Sequence, residues 1–91
     1  MAFKSYPLPA VNIIKSDIYW TKFTDIQNIK INVFDINGTK MQLHDKKISL
    51  EKTEPYSGIL KWDCSDIISG IYIIQILLEG ESLSFPVIVN R

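Results

Sequence analysis

The sequence predicts an all-β domain, an immunoglobulin-like antiparallel sandwich of about seven strands, from three observations. Apolar residues recur with a period of two rather than 3.6, the spacing of pleated strands with one buried face. Turn signals separate the apolar runs at intervals of roughly ten residues, as in a sandwich. No run carries the pattern of a long helix. A small closed barrel would give the same period, and the strand spacing favours the sandwich.

Residues 1–10 read as a linker-like lead-in, with Pro7 and Pro9 marking the way into a single domain over residues 11–91. "VNIIKSDIYW" offers the first strand. In "NIKINVFDINGTKMQLHD", Ile29, Ile31 and Val33 fall on one face and Lys30 and Asn32 on the other, as a half-buried strand requires. Asn37-Gly38 reads as a type I′ hairpin turn, because both residues tolerate positive φ, with "TKMQL" as the returning arm. "KKISLEK" is the next strand, with Ile48 and Leu50 on its apolar face, and Pro55 and Gly58 bracket a turn. "GILKWDC" then aligns Leu60, Trp62 and Cys64.

"SDIISG" is too short for a stable helix, so it is expected to connect strands through one helical turn capped by Ser65 and ended by a left-handed Gly70. Residues 71–78 hold seven apolar side chains and one amide. Tyr72, Ile74, Ile76 and Leu78 share one face, and Ile71, Ile73 and Leu77 the other, which predicts a central strand covered on both sides or an outer face that meets something else. After a turn at residues 79–81, "SLSFPVIVNR" forms the last strand. Pro86 lacks an N–H, which places that strand at a sheet edge or a bulge. Trp62 is expected as the largest core side chain, with Phe34 and Tyr72 packed near it.

Composition narrows the function. A chain of 91 residues makes one domain, and a domain of that size buries only about 60 to 65% of its unfolded surface. With 46% apolar and 22% charged residues the chain is too rich in Ile, Leu and Phe for disorder. Ten basic and ten acidic residues cancel, removing the long-range attraction that nucleic acid or an anionic membrane surface would need. No stretch reaches the roughly 18 apolar residues of a membrane span, so no membrane insertion of its own is expected. The amino terminus lacks a signal-peptide core, which suggests a terminal piece of a longer protein whose export signal lies upstream.

Catalytic chemistry has little to stand on. The only histidine, His44, sits beside Asp45 and Lys46 and reads as a solvated imidazole. The single cysteine, Cys64, cannot form an internal disulfide and reads as a small buried strand residue. Asp63 and Asp66 flank Cys64 and Ser65, a spacing compatible with a calcium loop or with turn capping. Calcium takes about six to eight oxygen ligands, and no third acidic residue lies close, so capping is preferred. No catalytic, metal or cofactor residue is assigned. Tyr19, Trp20 and Phe23 would be the aromatics of a binding face if exposed, but large aromatics more often fill small cores.

Four stretches in order then carry a family likeness: "YPLPA", "INVFDINGTKM", "WDCSDIISGIYIIQI" and a last strand running to the final residues. Together they resemble the C-terminal sorting domain of the type IX secretion system of Bacteroidetes, type A, whose members show "YPNPA", a strand ending "YDxxGR", then "LDLSxLxSGxYxxxI" and a last strand with a basic residue. The likeness runs from Tyr6 to Arg91. Tyr6, Pro7, Pro9 and Ala10 match the opening motif, with Leu8 where Asn is usual. Asp35, Asn37 and Gly38 match the first hairpin, with Thr39 in place of Arg and Lys40 the nearest cation. Trp62, Asp63 and Ser65 match the strand before the connector, and Ser69, Gly70 and Tyr72 match the Gly-x-Tyr strand. Phe85-Pro86-Val87 stands where a lysine-bearing stretch is usual, while Val89 and Arg91 keep an apolar-then-basic end.

The resemblance implies recognition rather than catalysis: a folded address label, without cofactor, that directs a cargo from the periplasm through the outer membrane to the cell surface or medium. Its implied partners are the outer-membrane translocon and a cell-surface sortase. Two other readings share the expected fold, an accessory module binding sugar or protein and a structural spacer similar to that of flagellar hook-capping proteins. Fold alone does not choose among them.

Overall fold

Alternation with a period of two gives each strand one apolar face, and two such faces must meet to be buried. The computed structural model describes residues 2–6, 12–20, 29–42, 47–78 and 81–90, the first stretch through its backbone alone. Among these residues the chain forms β1 (Ala2–Tyr6), β2 (Ile13–Tyr19), β3 (Lys30–Asp35), β4 (Ile48–Glu54), β5 (Ser57–Asp63), β6 (Gly70–Leu78) and β7 (Glu81–Val89). They pair antiparallel into two sheets, β1-β2-β5-β4 and β3-β6-β7. The protein is all-β.

One buried cluster draws on both sheets. Ile14 and Ile18 of β2 and Leu60 and Trp62 of β5 join Val33 of β3, Ile74 and Ile76 of β6, and Phe85 and Val87 of β7. All but Phe85 and Val87 are fully inaccessible, and those two are 1% exposed. Burying each such side chain contributes about 1.5 to 3 kcal/mol, and no disulfide assists, because Cys64 is a free, buried thiol. Ser16 is buried among them, and it too is hydrogen-bonded.

Six of the expected strands form, and the differences have local causes. Within the described part of the arm "TKMQL", residues 39–42, the pairing is a single bridge between Phe34 and Lys40, with Met41 N–H donating to the carbonyl of Val33 at 2.8 Å. Residues 2–6, read as part of a lead-in, instead form β1 against β2, with Tyr6 opposite Lys15. Gly58, expected in a turn, lies buried inside β5. A Cβ there would sit 2.6 Å from the Glu51 carbonyl oxygen and 3.2 Å from the Trp20 ring, so only glycine admits that close approach. Trp20 is seated over it, its Nε1 donating to the Pro55 carbonyl at 3.0 Å. The register of β4 against β5 shifts between Lys52 and Glu54 beside this contact.

β6 is the central strand of its sheet, and β7 lies at an edge with Pro86 exposed. Burial on both faces of β6 is not found. Tyr72, Ile74, Ile76 and Leu78 are buried, whereas Ile73 and Leu77 are half-buried and Ile71 is 45% exposed. Phe34 stands opposite Ile73 on this outer face, rather than beside Trp62. A second sheet covers only one side of a two-layer fold, so the apolar outer residues of β6 keep contact with solvent.

The two faces of β6 should respond differently to charge. Ile74→Asp places an unpaired carboxylate between the sheets and is expected to cost about 3 kcal/mol or more. Ile73→Asp is expected to cost about 1 kcal/mol, the scale of a strand-surface substitution. Denaturant midpoints measure both; equal losses would mean that the outer face is as closed as the inner one.

Candidate functional site

The residues singled out from the sequence gather, where they are described, at one end of the β3-β6-β7 sheet. Gly70 pairs with Val89, Tyr72 pairs with Val87 on one side and Asp35 on the other, and the Asn37-Gly38 hairpin leaves β3 directly after Asp35. Ser69 precedes β6. Tyr6 belongs to the other sheet, through its backbone in β1. Pro7, Pro9, Ala10, Arg91, His44 and Phe23 lie outside the described residues.

The hairpin is built by Asp35. Its Oδ1 accepts the N–H groups of Asn37 and Thr39, each at 2.9 Å, while Gly38 N–H donates to the Asp35 carbonyl at 3.0 Å. Only Gly38 takes a positive φ, 83°, so the loop is not the expected type I′ turn, which needs two such residues. The bonds instead describe a three-residue loop closed by a left-handed glycine, and the Asp35 carboxylate holds Asn37 on the negative side. Asn37 and Gly38 are exposed.

The connector between the sheets is built by Tyr72 and Asp63. Tyr72 is 8% exposed; its ring meets Trp62 edge to face at 5.7 Å, and its hydroxyl donates to the Ile68 carbonyl at 2.6 Å. That bond runs back across the connector and fixes the chain's approach to β6, a tyrosine corner. The expected helical turn does not form, and Gly70 does not adopt the left-handed conformation. Asp63 supplies the cap in place of Ser65: Ser65 N–H donates to Asp63 Oδ1 at 3.1 Å.

The acidic pair holds a lysine. Lys47 Nζ lies 3.6 Å from Asp63 Oδ2 and 3.7 Å from Asp66 Oδ2, and the Lys47 carbonyl accepts the Asp63 N–H at 2.7 Å. Among the described residues no group of three or more His, Cys, Asp or Glu is placed to hold a metal ion. Of the aromatics considered for a binding face, Tyr19 is 45% exposed and Trp20 is buried.

Tyr72 and Val89 are therefore core residues, and their side chains cannot be read by a partner while the fold is intact. Sequence reasoning placed Ile71 on the outer face of its strand but did not single out Ile88, which stands opposite it; each is 45% accessible. The signal was available in "FPVIVN", where Ile88 falls out of phase with Phe85, Val87 and Val89.

The described residues thus form two antiparallel sheets in which the motif residues build turns, a connector and part of the core. The model of the family described as secretion system C-terminal sorting domain matches residues 4–90, and the chain belongs to that family. Its function is that of a C-terminal sorting signal for type IX secretion. The family is non-enzymatic and directs export toward the cell surface or medium. No curated protein matches the chain.

Two local predictions follow from the connector. Tyr72→Phe keeps the ring but removes the bond to Ile68, and is expected to cost about 1 to 2 kcal/mol by chemical denaturation; no loss would mean that the hydroxyl does not hold the connector. The Ser65 hydroxyl and then its backbone N–H lower the pKa of Asp63 below the ordinary aspartate value; desolvation opposes them, and Lys47 adds smaller effects in the lowering direction. A carboxyl whose folded pKa is depressed stabilises the fold above its unfolded pKa, and this is lost as pH falls through the folded value. Asp63→Asn should flatten that acid limb of a thermal-midpoint profile while leaving its neutral-to-alkaline shape unchanged.

Proposed function

We propose that this domain is a folded address label of immunoglobulin-like sandwich architecture, recognised by the outer-membrane translocon on passage from the periplasm and acted on afterwards by a cell-surface sortase. The sheet orders support the architecture: β1-β2-β5-β4 and β3-β6-β7 follow the ABED and CFG arrangement of constant-type immunoglobulin domains. The shared core and the tyrosine corner agree with it.

The observation that carries the functional reading is the family match over residues 4–90. The motif residues then divide by chemistry. Tyr72 and Val89 preserve the fold, whereas the Asn37-Gly38 hairpin and the end of β7 present backbone and side chains to a partner. An edge strand offers unpaired groups for strand addition, and residues 87–89 at the end of β7, beyond Pro86, carry no proline. In this reading residues 11–91 are the body of the label, the lead-in contributes β1 to its four-stranded sheet, and no side chain performs catalysis. The family match does not favour the accessory-module or spacer reading.

A reporter carrying a periplasmic signal and fused to residues 1–91, expressed in a bacterium with the type IX system, is expected at the cell surface or in the medium. Arg91→Ala or a short carboxy-terminal extension should hold it in the periplasm without unfolding the domain, since both changes lie at the chain end. Equal delivery of a reporter lacking the domain would overturn the proposal, as would periplasmic retention of the intact folded fusion.

A further inference from the structure

The register shift in β4 accompanies a pocket in the first sheet, away from the motif residues of the second. Trp20 and the Glu51 carbonyl crowd Gly58, and the pairing of β4 with β5 steps from Lys52 opposite Gly58 to Glu54 opposite Ser57. Thr53 is the extra residue, and a bulge of this kind bends its strand and re-aims the side chains beside it. An open pocket of about 260 Å³ lies there, its lining including Asp17 and Tyr19 of β2, Ser57 and Ile59 of β5, and Thr53 and Glu54 of β4. Drug-sized molecules occupy pockets of about 300 to 1,000 Å³, so this one suits a ligand of a single ring.

We propose that the pocket binds a neutral saccharide, one sugar ring at a time. The proposal goes beyond the sorting function and does not depend on it. The lining residues bring three hydroxyls, of Tyr19, Thr53 and Ser57, which both donate and accept, and two carboxylates, which only accept. That set answers the neighbouring hydroxyls of a sugar, each a donor and an acceptor. Tyr19 is 45% exposed and offers its ring to the C–H face of such a ligand, while Ile59, on the strand between β2 and β4, adds apolar contact.

Charge sets the other ligand classes aside. Among the described residues no lysine or arginine lines the pocket, and its two carboxylates repel phosphates, sulfates and acidic sugars. A calcium ion takes about six to eight oxygen ligands, and no group of three or more His, Cys, Asp or Glu is placed among the described residues to hold a metal. A basic side chain gains little here, because Glu54 is exposed to screening solvent and Asp17 already interacts with a partner. A sugar uses the same carboxylates as acceptors, at no cost in unpaired charge.

Titration of the isotope-labelled domain with the methyl glycosides of glucose, galactose and mannose, followed by amide NMR shifts, tests the pocket. At least one glycoside is expected to shift the amides of Tyr19, Ser57 and Gly58 saturably with a Kd of roughly 1 to 10 mM, the affinity open to a ligand of about a dozen heavy atoms. Tyr19→Ala and Glu54→Gln should each weaken binding about tenfold, the loss of one stacking or charge-assisted contact, and Lys61→Ser, one row beyond Ile59 on the same face, should bind as the parent does. If Tyr19→Ala loses its fold, Glu54→Gln at an exposed position carries the test. Absence of saturable shifts with all three glycosides overturns the proposal, as does undiminished binding in a folded Glu54→Gln variant. Saturable shifts with acetyl-lysine amide and none with the glycosides would assign the pocket to a basic side chain and overturn it as well.

Discussion

The arrangement of the two sheets depends on the Tyr72 side chain. After β5 the chain must leave one sheet and enter the other, and the connector that does so has a single backbone bond of its own among those described, Ile67 N–H to the Cys64 carbonyl at 3.1 Å. Tyr72 closes the gap from both directions. Its ring packs against Trp62, the last buried residue of β5, and its hydroxyl reaches back to Ile68. A hydroxyl shielded from water and left without a partner costs roughly 1 to 3 kcal/mol, so the Tyr72 hydroxyl is satisfied only when the connector presents the Ile68 carbonyl. One side chain thus couples inter-sheet packing to crossover geometry. The exposed bridges from Lys47 to Asp63 and Asp66 add little by comparison, since solvent screens such pairs.

This coupling separates two roles that a motif string runs together. Ser69, Gly70 and Tyr72 are contiguous in the sequence and read as one signal, but Tyr72 faces the core while Ile71 between them faces solvent. The strand pleat sends neighbours to opposite sides of the sheet. The residue that makes the motif visible in sequence is therefore hidden in the fold. The residue exposed at the surface is the one the motif leaves unspecified.

Much of the fold was legible because period-two patterning states burial directly. The inner faces of β5 and β6, the edge position of β7, and buried Cys64 and Trp62 all follow from alternation and from the chemistry of Pro86. What escaped depends on contacts between distant segments. β1 lies beyond the turn-rich Pro7 and Pro9 and was masked by them. Gly58 looked like a turn glycine, and its reason for being glycine is the approach of Glu51 and Trp20. The hairpin was misread because Asn-Gly favours a type I′ turn in isolation, whereas the Asp35 carboxylate binds two N–H groups and selects a longer loop. Of the candidate site, the structural members were readable by their spacing; the exposed Ile71 and Ile88 pair needed the register of β6 on β7.

A label that must be recognised also has to avoid being recognised indiscriminately, and the edges show how. Unpaired strands invite association with any other chain. Here β4 carries Glu51, Lys52 and Glu54 along a register shift, β3 is flanked by the Phe34 to Lys40 bridge, and β7 is interrupted by Pro86. Charge, cover and a missing donor thus weaken continuous pairing at three of the four sheet edges. The outer face of β3-β6-β7 is fixed by strand register to within one residue, because a shift of one would send Ile71 and Ile88 into the core and Tyr72 and Val87 out. The register that closes the core therefore also composes the exposed surface, and a domain that has not folded cannot present it.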